Sequence, residues 1–308
     1  MAEETLMSFK NGKALSVKLK HRRELLACYP HPAFTTISIT GGDCALSCKH
    51  CGRHYLKSMI SCTTPATLYE KCLELSSKGA VGVLLSGGFN VEGYVPFEPF
   101  LDTIEKIKEQ TTLFISAHTG LVPEWLAKEM GRAGVDLADF DLVGDDSTIK
   151  SVLGLQKTVK DYRSSLSSLT KHISYVVPHI CVGLHFGKLL GEFRALELAS
   201  EAKPSLLVLL VLSPTSGTVF EKLAPPSVEV FKKVAIEARL MFPGIDIALG
   251  CVRPRFHNRH ELELAALQSG VDRIELPDER TLEAARKMGM VVKRLHACCS
   301  VPDDVVQS

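Results

Sequence analysis

Residues 36–52 read TISITGGDCALSCKHCG. The first five are β-branched apart from Ser38, the composition of a strand. The remainder is a glycine-rich loop carrying three cysteines. Outward from this stretch the chain repeats one pattern, a short β-rich run followed by an amphipathic helical run. Strand-like segments fall at 36–40, 81–86, 112–118, 137–143, 173–184, 205–212, 246–251 and 271–276. Helix-like segments follow at 64–77, 96–110, 122–132, 159–171, 192–203, 227–242, 259–270 and 279–289. Alternation of this kind predicts parallel strands joined by helical crossovers, and eight such units close a (β/α)8 TIM-type barrel. The expected architecture is therefore α/β, a TIM-type barrel that is complete or slightly open, with an open doubly wound sheet as the alternative. Residues 1–30 read as an N-terminal extension packed outside the barrel, 31–290 as the barrel and 291–308 as a C-terminal tail capping it. Lys10, Lys13, Lys18, Lys20, Arg22 and Arg23 in the extension read as a solvated face rather than a binding patch.

Composition agrees with that class. Of 308 residues, 45% are apolar, enough for a large core. Lys plus Arg is 36 against 35 Asp plus Glu, so the net charge of +1 offers no reason to expect nucleic acid or an acidic membrane as partner. The longest strongly apolar stretch, residues 206–212, is far short of the ~20 residues that span a bilayer. The first residues are acidic, with no apolar run of the secretory type, and the expected location is cytoplasmic.

Ten cysteines stand at positions 28, 44, 48, 51, 62, 72, 181, 251, 298 and 299. In a reducing compartment, clustered cysteines point to metal or redox chemistry. Cys44, Cys48 and Cys51 are spaced CxxxCxxC, a triplet that chance yields in roughly one chain in a hundred at this cysteine frequency. Three thiolates hold three irons of a [4Fe–4S] cube and leave the fourth open to chelate a substrate or cofactor. Zinc is the alternative, with His50 or His54 completing four ligands. In barrels the chemistry sits at the C-terminal ends of the strands. That singles out Gly87 and Gly88 after the second strand, Ser116 and His118 on the third, and Asp139 and Asp141 on the fourth. Gly183 and Gly187 follow the fifth strand and Pro214 the sixth.

Taken in order, these features resemble the radical S-adenosylmethionine (radical SAM) enzymes of the biotin-synthase-like type. The resemblance implies that Cys44, Cys48 and Cys51 bind a [4Fe–4S] cluster whose open iron chelates SAM. One electron then cleaves the sulfonium and yields a 5′-deoxyadenosyl radical that takes hydrogen from the substrate. It also implies SAM contacts at Gly87, Gly88, Ser116, His118, Asp139, Asp141, Gly183, Gly187 and Pro214. One departure stands out: Phe89 occupies the acidic position of the family's GGE segment.

Cys251 ends the seventh strand, and Cys298 and Cys299 lie in the tail. A tail folded back would bring the three together to hold a second, auxiliary [4Fe–4S] cluster, with Ser300, Arg253, Arg255 or an exogenous group as fourth ligand. The bland alternative makes Cys251 a small core residue and the vicinal pair a chance feature of the tail. Cys28, Cys62, Cys72 and Cys181 read as structural. The segments GGDCALSCKHCGRHYLKSM, VVPHI, PTSGT and GCVRPR with the terminal cysteine pair are most similar to the two-protein lipoyl synthases, nearer their octanoyl-acting component. That similarity implies sulfur insertion into an octanoyl chain on a lipoyl-carrier protein, a companion radical SAM protein, and an electron donor such as ferredoxin or flavodoxin. Other biotin-synthase-like chemistry, or a non-catalytic iron–sulfur protein, is the alternative.

Overall fold

A computed structural model describes residues 2–255 and 258–306; Met1 and the last two residues of the tail, 307–308, lie outside them. The strands are β1 (Glu24–Cys28), β2 (Phe34–Ser38), β3 (Ile60–Ser61), β4 (Gly82–Ser86), β5 (Phe114–His118), β6 (Leu137–Asp141), β7 (Tyr175–Val182), β8 (Leu206–Val211), β9 (Asp246–Leu249), β10 (Arg273–Glu275) and β11 (Val291–Leu295). All pair in parallel in one sheet, ordered β11-β1-β10-β9-β8-β7-β6-β5-β4-β2-β3. The helices are α1 (Ala2–His21), α2 (Pro65–Ser77), α3 (Leu101–Gln110), α4 (Glu124–Arg132), α5 (Asp146–Thr148), α6 (Val159–His172), α7 (Glu192–Ala202), α8 (Val228–Met241), α9 (Arg259–Gln268), α10 (Glu279–Lys287) and α11 (Asp303–Val306). All eight expected strand–helix units are present. Local chemistry marks their boundaries: Thr64 caps α2 by accepting the Thr67 N–H, with Pro65 at its first position.

Side chains alternate between two apolar layers. Ile115, Ala117, Ala138, Phe140, Ile180 and Leu207 belong to the core shared with the helices. Phe114, Leu137, Val177, Leu206, Val208 and Ala248 point the other way, into a separate concave cluster. With both faces covered, β8 is buried at all six positions, LLVLLV. The sheet is curled but not an eight-stranded closed barrel, since β3 and β11 remain its two edges. The curl shows in a contact across the lumen. A Cβ added to Gly52, in the loop after β2, would lie 2.9 Å from Thr218 after β8, although four strands separate β2 from β8 in the sheet.

Both chain ends differ from expectation. The extension does not stay outside: β1 inserts between β10 and β11, with Leu25 and Ala27 toward the helices and Leu26 and Cys28 toward the lumen. Lys18 is not solvated. It is fully buried, donating to Asp272 at 3.0 Å and to the Arg22 and Glu24 carbonyls at 2.8 and 2.7 Å. Lys13, Lys20 and Arg23 are exposed as expected. A short strand flanked by basic residues carries a weak local signal, and only the pairing partners reveal it.

The tail likewise enters the lumen instead of covering its mouth. After β11 pairs with β1, Ala297, Cys299 and Val301 pack with Leu26, Cys28 and Leu295 on the concave side. Arg273 secures it, donating to Asp246 Oδ2 at 2.7 Å, to the Cys299 and Val301 carbonyls at 3.3 and 2.6 Å, and to Asp303. Removing one partner of a buried pair costs about 3–5 kcal/mol, because the other charge is left uncompensated. Arg273→Met is accordingly expected to lower unfolding free energy in urea by about 3 kcal/mol and to speed proteolysis after residue 296. Unchanged stability together with an unchanged digestion pattern would show that the tail is held by other means.

Candidate active site

The Cys44–Cys51 loop is clamped by loops from three other strands. Ala45 N–H donates to the Phe89 carbonyl after β4 at 2.8 Å, and Lys49 N–H to the Val152 carbonyl after β6 at 2.9 Å. Val152 and Leu153 end a π-helical turn, Ile149–Leu153, whose wider spacing presents carbonyls to the loop. The Cys48 thiol reaches Leu153 O at 3.6 Å, and Cys44 Sγ accepts the Phe89 N–H at 3.3 Å. Thr218 after β8 supplies the third contact, against Gly52.

The thiols suit a cluster of several metals. Burial, with Cys51 and Cys44 adding their charges, pushes Cys48 up to about 12. Burial also raises Cys51, while backbone N–H groups of Arg53, Tyr55 and His54 pull it down by hydrogen bonding its sulfur. Thiols so placed deprotonate when cations take up their charge, so binding releases protons. A single zinc with 2.3 Å bonds needs thiolates about 3.8 Å apart, whereas a cubane spreads its ligands over separate irons. Among the described residues, the sets of three donor atoms within 4.8 Å of one another do not include Cys44, Cys48 and Cys51. This geometry favours the cluster over one zinc ion. His50 is half-buried, its buried Nδ1 without a hydrogen-bond partner among the described residues, and desolvation lowers its pKa against the pull of Asp141.

Gly87 and Gly88 lie directly under this loop. A Cβ at Gly88 would fall 1.9 Å from Asp43 O and 2.5 Å from Cys44 Cβ; at Gly87 it would fall 2.9 Å from Thr40 Oγ1. The glycines are required by the cysteine loop itself. Ser116 is fully buried and donates to Asp139 Oδ2. Asp139 Oδ1 has no hydrogen-bond partner, with His179 Nε2 3.6 Å away. His179, missed in the sequence, donates to Val177 O through Nδ1 at 3.0 Å and stacks edge-on against His118 at 5.7 Å. Burial lowers its pKa although Asp139 opposes this. Asp141 is exposed at the end of β6, and its charge acts on Cys48, His50, His179 and Cys181. Gly183 abuts Pro226, its added Cβ falling 2.1 Å from Cγ, and its N–H donates to Glu192 Oε1 at 2.8 Å. Gly187 turns beside Ala224 O, and Pro214 sits half-buried in the loop that reaches Thr218. The lumen is thus polar toward the C-terminal ends of β5–β7 and apolar at their starts and along β8, where Val208, Leu210 and Val252 cluster.

Across the lumen lies a second thiol group. Glu275 on β10, Cys298 and Cys299 have donor atoms within 4.8 Å of one another. Cys251 is exposed to the lumen yet deeply surrounded, and burial, then Glu275 and Cys298, push its thiol up to about 12. Cys28, expected to be structural, also neighbours this group: its pKa is raised by burial and by Glu275, with Cys298 adding to it. Sequence reasoning missed Cys28 and Glu275. The alternation Arg273-Ile274-Glu275 inside an apolar strand was the available signal, since charges facing a lumen are rarely idle. Arg253 is not free to serve as a ligand. It is buried with its guanidinium on Glu263 Oε1 at 2.7 Å and on the Gly250 and Glu275 carbonyls, both at 2.6 Å. Arg255 donates to the Leu276 and Cys251 carbonyls at 3.0 and 3.1 Å. Ser300 Oγ turns to Cys298 Sγ at 3.5 Å and supports that thiol.

No family model matches the chain. Two curated relatives do. A biotin synthase of Citrifermentans bemidjiense is 25% identical over 219 residues, covering 68% of this chain and 64% of its own length. A biotin synthase of Campylobacter hominis is 25% identical over 250 residues, covering 77% and 73%. In sequence the chain is thus similar to biotin synthases over two thirds to three quarters of its length. The first relative extends well beyond the matched part. Among solved structures, methylornithine synthase superposes with a TM-score of 0.66 at 16% identity, covering 94% of this chain and 89% of that one. The likeness is one of fold, a parallel α/β sheet curled into a half-barrel. Among the described residues no helix is long and apolar enough to cross a membrane.

Because Gly88 has no room for a side chain, Gly88→Ala is expected to displace Cys44 and to remove about four irons per chain, one cubane's content, after anaerobic reconstitution. Gly42→Ala in the same loop meets nothing within 4 Å and adopts no left-handed φ, so its iron content should match wild type. Equal iron in both variants would show that the loop tolerates the shift.

Proposed function

We propose that this chain is a radical SAM sulfurtransferase that inserts sulfur into an octanoyl chain carried on a lysine of a lipoyl-carrier protein. The observation that carries the reading is the pair of thiol groups facing each other across one lumen, Cys44, Cys48 and Cys51 on one side and Cys251, Cys298 and Cys299 on the other. In this reading the first group holds a [4Fe–4S] cluster that supplies, when bound, one electron for cleavage of SAM. The second holds an auxiliary iron–sulfur centre as the sulfur source.

The chain's own residues divide the remaining work. His118, half-buried at the end of β5, meets the polar groups of SAM, with Asp139 behind it, its Oδ1 3.6 Å from His179 Nε2. Ser116, being fully buried, orients Asp139 and makes no contact of its own. Asp141 at the mouth takes hydroxyl groups, and the Gly183–Gly187 turn and Pro214 border the adenine side. The apolar wall of Val208, Leu210 and Val252 suits an alkyl chain. The apolar floor below it is filled by the tail, through Ala297, Cys299 and Val301. A companion radical SAM protein and a small reductant such as ferredoxin or flavodoxin complete the proposed system, in the cytoplasm.

Two variant sets test this. Cys44→Ala, Cys48→Ala or Cys51→Ala should each abolish 5′-deoxyadenosine formation from SAM under reducing, anaerobic conditions; normal cleavage in any of them would end the radical SAM reading. Changing Cys251, Cys298 and Cys299 together to Ala should leave 5′-deoxyadenosine forming while thiolated octanoyl-lysyl peptide disappears from the mass spectrum. Continued thiolation by that triple variant would make the second group structural and the chemistry something other than sulfur insertion.

A further inference from the structure

Glu275 is nearly inaccessible, with 3% of its surface exposed, and its carboxylate has no salt-bridge partner among the described residues. Its buried neighbours at the foot of the sheet are different. Asp246 pairs with Arg273 at 2.7 Å, Asp272 with Lys18 at 3.0 Å and Arg239 at 2.8 Å, and Glu263 with Arg253 at 2.7 Å. That pairing also disposes of the other compact donor set, His21, Asp246 and Asp272, whose carboxylates are already neutralised by cationic side chains. Arg253 and Arg255 come close to Glu275 but donate to its backbone carbonyl, at 2.6 and 3.4 Å. The carboxylate is left with the Cys299 N–H at 3.1 Å and the thiols of Cys298 and Cys299. A buried carboxylate is stable when it is paired, neutralised or bound to metal. Here the groups that surround it are thiols, which ligate iron readily.

We propose that the Glu275 carboxylate is an oxygen ligand of the metal centre formed by Cys251, Cys298 and Cys299. The inference rests on the reading that these thiols hold iron, and it supplies a ligand that Arg253 and Arg255, engaged with Glu263 and backbone carbonyls, do not give. Donor atoms of Glu275, Cys298 and Cys299 within 4.8 Å of one another put the carboxylate among the thiols that would ligate the centre. The Cys299 N–H orients the carboxylate as an outer-shell hydrogen bond does at other metal sites. Thiolate is the softer and stronger ligand for iron in such centres, so the oxygen ligand marks the position that exchanges most readily.

The test isolates this centre in a full-length parent carrying Cys44→Ala, Cys48→Ala and Cys51→Ala, reconstituted anaerobically with isotope-enriched iron and sulfide. Iron content and Mössbauer spectra are then compared for the parent, Glu275→Gln and Glu275→Cys. The expected result is an oxygen-ligated iron in the parent, seen as a higher isomer shift on one site. Glu275→Gln should lose about one iron per chain. Glu275→Cys should regain it with an all-thiolate spectrum. A parent that binds iron with a spectrum unchanged in both variants overturns the Glu275 assignment and leaves the second centre standing. A parent that binds no iron overturns both. If Glu275→Gln is recovered only as aggregate, Glu275→Cys decides alone, since its thiolate must change the isomer shift if position 275 touches iron.

Discussion

Arg273 holds the two ends of the chain in one sheet. Its guanidinium sits where β9, β10 and the tail converge, binding Asp246 on one side and tail carbonyls on the other. Arg22, just before β1, donates to Asp303 at 2.6 Å and faces Asp246 at 3.1 Å. Buried charges of this kind cost nearly as much to desolvate as they return. Their consequence is specificity: β1 has apolar residues on both faces and could pair with many strands, but only one arrangement satisfies Arg273, Asp246, Lys18 and Asp272 together. Without that arrangement the tail has no reason to enter the lumen, and Cys298 and Cys299 have no reason to meet β9 and β10.

The curl of the sheet has an equal share in the chemistry. It lets a loop after β2 touch loops after β4, β6 and β8, so that three cysteines close in sequence are held from three sides. It also turns the C-terminal ends of β5–β7 and β8–β9 toward one another as a polar and an apolar wall. A substrate with a charged cofactor on one side and an alkyl chain on the other matches that asymmetry better than it would match a uniformly apolar barrel.

The two thiol groups differ in a way that spacing along the chain conceals. Cys44, Cys48 and Cys51 stand too far apart to share one ion as a compact set, while Glu275, Cys298 and Cys299 stand close enough to do so. Adjacent cysteines at the end of a chain look like a minor feature until β10 brings a carboxylate to them. The opposite happened to Arg253, which looks like a ligand beside Cys251 in sequence but is consumed by Glu263 and by backbone carbonyls.

The eight strand–helix units, their boundaries and the CxxxCxxC loop were legible in the residues, because periodicity, caps such as Thr64-Pro65 and short-range spacing are local properties. β1 was not, since five residues beside a run of basic side chains become a strand only when β10 and β11 flank them. Nor were Cys28, His179 and Glu275, whose neighbours lie on other strands. Gly88 was legible as a glycine but not for its reason, a backbone of the cysteine loop that leaves no space for a methyl group. Sequence by itself determined which segments are strands, which are helices and which three thiols share one loop. Tertiary structure alone decided which distant side chains face each other, because burial and charge pairing depend on atoms that the chain brings together only once the sheet has curled and both its ends have been drawn in.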